Sequence, residues 1–303
     1  MMNNELAQPL STAIYTSDLL RIGRFRCPVG HPRFTDSGPI VSGHLIVFPR
    51  TTVRITHPHD LPIVASPNLV MFYNLHQCYR RERLSTAGDY CDWFAFAPDH
   101  LLKALYPYEP TVVERPNQPF QLTHAPSAPA IYLRQRLVVE HIMHTPLPDQ
   151  LFVEETMLWL LDTLLRHIYS TRRRYATRIS PRSQAQQREL VSAVQITIAD
   201  HYTEKLTITD LAATVYLSPY ELCRIFRTYT GCSIHSYLNQ LRLCVALDLL
   251  ANPRANLTEV ALALGYNSHS HFTSAFRHTF GVAPSLLRRP DKALQKLRKN
   301  LIV

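Results

Sequence analysis

Between Leu20 and about Leu122 the apolar positions fall in short β-branched and aromatic runs, among them His44–Phe48, Thr52–Thr56, Leu69–Tyr73 and Cys91–Phe96. Pro49, Pro58, Pro62, Pro67 and the pair Gly88-Asp89 separate them. Proline cannot donate to a strand ladder, so runs of this length and spacing predict an antiparallel sandwich or barrel. After a proline-punctuated stretch from Glu109 to Pro129 the period lengthens to that of helices. Ile131, Leu133, Leu137, Val138 and Ile142 predict one helix near Ile131–Met143. Leu151, Met157, Leu158, Leu161, Leu164, Leu165 and Ile168 predict a second near Gln150–Tyr169, its apolar arc wide enough to cover the barrel and leave a stripe for a second copy. Residues 171–187 include Arg172-Arg173-Arg174, are polar and contain Pro181, and read as a linker or a short exposed helix extension.

Beyond the linker the pattern repeats. Ser218, Leu222, Phe226, Arg227 and Gly231 recur 50 positions later as Ser268, Phe272, Phe276, Arg277 and Gly281. Leu211-Ala212 recurs as Val260-Ala261 at an offset of 49, so one turn differs by one residue. Repetition at this period means two like units sharing a core. In the first, Thr207 with Asp210 starts a short helix, and Ser218-Pro219-Tyr220-Glu221 starts another after a tight turn. In the second, Asn256 with Glu259 starts the first helix, Gly265 ends it and Ser268 caps the next. Ser236–Leu250 forms a longer helix between them. The expectation is an all-α domain with two helix-turn-helix units.

The second helix of such a unit is narrow enough to enter the major groove of double-stranded DNA. With Leu222, Ile225, Phe226 and Tyr229 as core, Tyr220, Cys223, Arg224, Arg227 and Thr228 face outward. With Phe272, Ala275 and Phe276 as core, His269, Ser270, Thr273, Ser274 and Arg277 do so. Charge agrees. Of the +9 net charge, residues 1–170 contribute −1 (14 Lys+Arg, 15 Asp+Glu) and residues 171–303 contribute +10 (18 and 8). A basic excess confined to one half fits a polyanionic partner.

Apolar content of 46% with only eight glycines indicates packed globular domains rather than disorder. Six scattered cysteines without a CxxC pair fit a reducing compartment, and no stretch reads as a signal peptide or membrane span, so a cytoplasmic protein is expected. Catalytic triads, phosphate-cradling glycine loops and nucleotide fingerprints are absent. His57-x-His59 and His76-x-Cys78 have spacing that could place ligands on one strand face, but Pro58 divides the first pair and no glutamate follows. A thiol sensor built on Cys78 and Cys91 has only Arg80 and Arg81 nearby to lower a thiol pKa. The expectation is therefore no enzyme, no cofactor and no metal.

The stretch Leu206–Arg288 resembles the DNA-binding domain of AraC/XylS transcription regulators. The matching pieces are Leu211-Ala212, the run Ser218–Arg227, Thr230-Gly231, Arg242 with Ala246 and Leu249-Leu250, Val260-Ala261, Gly265-Tyr266, His271-Phe272, Phe276-Arg277, and Gly281 with Pro284-Ser285. Ser274 departs from the arginine usual there, and Leu287 from an aromatic. The resemblance implies two recognition helices in successive major grooves, and RNA polymerase as a partner. It also implies that the N-terminal half is a cupin-like barrel with two trailing helices that binds a small-molecule effector and pairs two chains. Tyr73, His76, Tyr79 and Trp93 are the pocket candidates. The expected organisation is a sensing and dimerisation domain at 1–170, a linker at 171–187, a double helix-turn-helix domain at 188–290 and a basic tail at 291–303.

Overall fold

The computed structural model describes residues 10–58, 60–174, 181–252, 254–288 and 293–294, without the side chains of 171–184 and 288. The strands are β1 (Ser11–Thr16), β2 (Leu20–Cys27), β3 (Asp36–Ser37), β4 (Leu45–Pro49), β5 (Val53–Thr56), β6 (Ile63–Ala65), β7 (Leu69–Tyr73), β8 (Tyr79–Arg83), β9 (Asp89–Phe96) and β10 (His124–Pro126). They form two sheets, one ordered β1-β2-β9-β4-β7-β10 and the other β3-β8-β5-β6. Among the described residues the ladders form two sheets and no closed barrel, so the cupin-like barrel expected of this half is not confirmed. Short strands with period-two patterning satisfy either architecture, and closure depends on pairings that the pattern does not encode. In β5 the alternation is direct: Val53 and Ile55 are buried while Arg54 and Thr56 are not. Val53, Ile55 and Ala65 share a core with Leu45, Val47, Met71, Tyr73, Cys91 and Trp93 of the larger sheet.

Gly23, paired with Trp93 across β2 and β9, makes room for the indole. A Cβ at this position would lie 2.1 Å from the ring carbon Cζ2.

The helices are α1 (Pro98–Leu105), α2 (Pro129–His144), α3 (Gln150–Arg174), α4 (Pro181–Asp200), α5 (Ile208–Thr214), α6 (Pro219–Thr230), α7 (Ile234–Leu250), α8 (Leu257–Ala263) and α9 (His269–Phe280). The chain forms two compact units, one running to Ala125 and taking in Thr145–Tyr169, the other made of Pro126–His144 and the chain from Ser170 onward. Thus α2, expected with the sheets, belongs to the second unit, where it packs on α7 and α9. Its burial explains why: Ile131 to Val139 are all buried, charged Arg134 and Arg136 included, so it has no single apolar stripe from which a partner could be read. Arg136 donates to Asp248 at 2.8 Å, and Gln240 to the Ser127 carbonyl at 2.8 Å.

In α3 the chain itself buries Val153, Met157, Leu160, Leu161, Leu164, Leu165 and Ile168, leaving Leu151 (75%) and Leu158 (41%) exposed. The expected dimer stripe is therefore corrected: Leu161 and Leu165 are not available to a second copy. Tyr169 stacks on Tyr108 at 4.7 Å and donates to Glu109 at 2.5 Å, fixing the end of that stretch to the proline-rich segment. Of the linker expected at 171–187, residues 175–180 lie outside the described residues and 181–187 open α4. The basic tail at 291–303 also lies outside them, apart from Ala293 and Leu294, which are buried.

Candidate nucleic-acid interface

Each second helix of the repeat is set by its own ends. Ser218 accepts from the Glu221 amide at 3.2 Å while Glu221 accepts from the Ser218 amide at 3.3 Å, a closed capping box with Pro219 following. Glu221 is held below the ordinary carboxylate pKa mainly by its bond from the Ser218 hydroxyl. Ser268 caps α9 through the His271 amide at 3.1 Å. Gly231 and Gly281 end the two helices at φ of 76° and 73°, left-handed geometry that glycine adopts at little cost. The first helix of each pair is capped by Thr207 and Asn256.

Leu222, Ile225 and Phe226 anchor α6 in a core with Val191, Val194, Ile198, Leu211 and Tyr237. At about 1.5–3 kcal/mol for each such side chain buried, this fixes which face points outward. Outward lie Tyr220, Cys223, Arg224 and Arg227, all exposed, with Thr228 half-buried. Phe272, Phe276 and Phe280 anchor α9, whose outer face shows Ser270, Ser274 and Arg277 exposed and His269 and Thr273 half-buried. His269, Ser270, Thr273, Ser274, Arg277 and His278 line an open depression of about 500 Å³. Arg224, Arg227 and Arg277 form no ion pair with a described residue, so their guanidinium groups are free for an external acceptor.

Two features escaped sequence reasoning. The amides of Leu217 and Tyr266 both bond back to the preceding helix, to Ala212 and Ala261 at 3.0 Å. That register equates Tyr216 with Gly265 and makes Asn267 the extra residue of the second turn. Both equated residues are left-handed, at φ of 55° and 76°, but Tyr216 is 96% exposed while Gly265 packs against Thr203. The other feature is Arg242 of α7. It donates to the carbonyls of Tyr202 (2.5 Å), Glu204 (2.7 Å) and Gly265 (3.2 Å) and lies over the Tyr266 ring, tying both repeats to the central helix. Burial lowers its pKa from the usual arginine value. Leu287 is buried, an aliphatic core contact at that position.

In the first unit a cavity of about 420 Å³ lies between the sheets, lined by Tyr73, Tyr79 and Trp93 of the four pocket candidates but not by His76. Phe25, Val47, Ile55, Met71 and Asp89 line it as well. Their i, i+2 spacing along strands with Leu45, Val53, Tyr73 and Cys91 was a usable signal. Burial pushes the Tyr79 phenol up to about 12, so it is neutral at physiological pH. His57 is buried, forms a three-ring cluster with Tyr73 and Tyr79 and meets Gln77 at 2.9 Å. His59 lies outside the described residues. Among those described, no group of three or more His, Cys, Asp and Glu could hold a metal ion. Cys78 is exposed; Cys91 is buried and its thiol is pushed up by that burial, the opposite of a reactive thiol. No helix of the described residues is long and apolar enough to cross a membrane.

Two successive capped helix pairs, each presenting an arginine-bearing second helix, define a double helix-turn-helix unit. Residues 211–290 match the family described as "Helix-turn-helix domain". Regulatory protein PocR of Salmonella typhimurium is 33% identical over 89 residues, 29% of this chain and 29% of its own length. HTH-type transcriptional activator RhaS of Escherichia fergusonii is 33% identical over 99 residues, 32% of this chain and 36% of its own. A solved AraC-type regulator from Chromobacterium violaceum is 29% identical, covers 34% of this chain and 93% of its own, with a TM-score of 0.32. The chain spans about a third of the length of the curated relatives it matches. Residues 211–290 thus form a helix-turn-helix domain similar to those of these regulators.

Proposed function

We propose that the protein is a sequence-specific regulator of transcription that binds double-stranded DNA through α6 and α9 and responds to a small-molecule effector held between its sheets, in the manner of a cupin-like sensor. The observation that carries the reading is the pair of capped helices whose outer faces hold exposed Arg224, Arg227 and Arg277 above a buried apolar core. Relatives named as a regulatory protein and a transcriptional activator support its regulatory half. Two chains and RNA polymerase complete the proposed assembly; on α3, pairing falls to the exposed Leu151 and Leu158.

Selection of genomic fragments by the purified protein, followed by footprinting, tests the proposal. On a footprinted site Arg224→Ala costs about 1–3 kcal/mol and relaxes preference at one base pair, because a mid-helix arginine can grip guanine bidentately. Arg227→Gln instead weakens selected and random DNA alike and lowers the salt slope by about one, as loss of a phosphate contact does. Unchanged binding by the Arg224→Ala protein would sink the assignment of this face.

A further inference from the structure

We infer that Tyr216, in the turn of the first helix-turn-helix unit, donates its phenol proton to a DNA phosphate and so extends the interface beyond α6; this rests on the DNA-binding reading just given. Among the described residues, His76 and Tyr216 are the non-glycines in left-handed backbone, and histidine enters that region more readily than a bulky phenol does. A tyrosine at φ of 55° is strained, and strain of this kind gathers at positions that serve a function. The second repeat shows what the fold alone demands. Gly265 holds the equated place at φ of 76°, where a Cβ would lie 2.3 Å from the Thr203 carbonyl oxygen and 2.8 Å from the Arg242 guanidinium, so the neighbours require glycine. In the first repeat the place is open. Tyr216 is 96% exposed, and among the described residues nothing bonds to, stacks on or pairs with its side chain.

The turn imposes this backbone through its own bonds, from the Tyr216 amide to the Ala213 carbonyl at 3.3 Å and from the Leu217 amide to Ala212 at 3.0 Å. Glycine would satisfy them without strain, and the phenol gains nothing inside the chain. A contact outside the chain is what offsets its strain, and its place decides the partner. Tyr216 stands two residues before the cap Ser218 and four before Tyr220, which is 77% exposed, with exposed Arg224 and Arg227 further along α6. In a helix-turn-helix the first helix crosses the sugar-phosphate backbone and the start of the second enters the major groove, so the turn between them follows the groove edge. Tyrosine hydroxyls are among the groups that bond phosphate oxygens there. Glu221, the acid in the first turn of α6, is engaged by the Ser218 amide and hydroxyl at 3.3 and 2.8 Å.

The test uses the full chain and the anisotropy of a fluorescent random-sequence duplex, titrated at several salt concentrations. Tyr216→Phe keeps the ring and the strain but loses the donor. It should bind about tenfold more weakly, as the loss of one hydrogen bond to a charged group implies, with the melting midpoint of the free protein unchanged. The slope of affinity against salt should also hold, because no cation is lost, whereas Arg227→Gln flattens it. Tyr216→Gly should weaken binding to a similar degree while raising the midpoint, a pairing that a purely structural role would not produce. A Tyr216→Phe protein that binds as the wild type does overturns the phosphate contact and, since the wild type still binds, leaves the DNA-binding reading standing. A wild-type chain that binds neither this duplex nor any selected genomic fragment overturns both.

Discussion

Replacing Arg242 by leucine removes three charge-assisted hydrogen bonds at once, those to the carbonyls of Tyr202, Glu204 and Gly265. A bond from a charged donor is worth about 1.5–3 kcal/mol net. The Glu204 bond is exposed, so water takes over most of its share. The bonds to Tyr202 and Gly265 are half-buried, and the leucine methyls recover part of the lost packing on Tyr266. The balance is about 2–4 kcal/mol, or about 5–12 °C in midpoint for a unit of this size. The molecule separates its own signals. Its two tryptophans, Trp93 and Trp159, lie in the first unit, while most helix lies in the second. Arg242→Leu should lower the midpoint followed by far-ultraviolet circular dichroism and leave the tryptophan-fluorescence midpoint in place. Arg242→Lys should recover little, since one ammonium cannot reach three divergent carbonyls. A leucine variant whose dichroism midpoint moves by under about 1 °C refutes the view that these bonds hold the repeats together.

The equated turn residues should respond oppositely. Tyr216→Gly relieves a left-handed tyrosine and should stabilise by a few tenths to about 1 kcal/mol, whereas Gly265→Ala, whose Cβ would lie 2.3 Å from the Thr203 carbonyl, should destabilise by well over 1 kcal/mol; the same melts measure both. His44 and His57 are held neutral by burial, their pKa values below the ordinary 6.5, and His44 Nδ1 accepts from the Leu75 amide at 3.1 Å. Neutral forms favoured on folding give stability that is present above pH 6.5 and lost as pH falls below it towards the depressed folded value. The tryptophan midpoint should therefore drop between pH 7 and about 5, and His44→Asn should flatten the slope. Leu161→Asp with Leu165→Asp buries two carboxylates and should unfold the first unit, seen as a red shift of the tryptophan emission, rather than yield a folded monomer.

What was legible in the sequence differs between the halves for a physical reason. Caps and left-handed glycines act within four residues of one another, so Ser218 with Glu221, Ser268, Gly231 and Gly281 announced the recognition helices and, through the spacing of Leu222 and Phe226, which residues lie outside. Sheet order has no such local code. The strands of β2 and β9 are some seventy residues apart in the chain yet pair along their whole length, and nothing in either announces the other. The cavity followed the same division. Tyr73, Tyr79 and Trp93 were visible as aromatic strand residues, whereas His76 sits in a turn at φ of 65° and does not line the cavity. Arg242 appeared only as one matching residue of a family pattern, because its carbonyl partners lie 23 to 40 positions away.

The placement of α2 shows why a linker read from polarity does not divide this chain cleanly. The chain leaves the first unit after Ala125, contributes Pro126–His144 to the second, and returns at Thr145. A polar segment at 171–187 marks where few apolar residues lie, but a core boundary depends on which buried surfaces meet. The almost fully buried α2 lies against the central helix of the double helix-turn-helix unit, with Arg136 reaching Asp248. A fragment beginning near residue 185 would leave Asp248 without Arg136 and would bare the face of α7 that α2 covers. The unit that presents the arginine-bearing helices is therefore completed by a segment that precedes α3 in the chain.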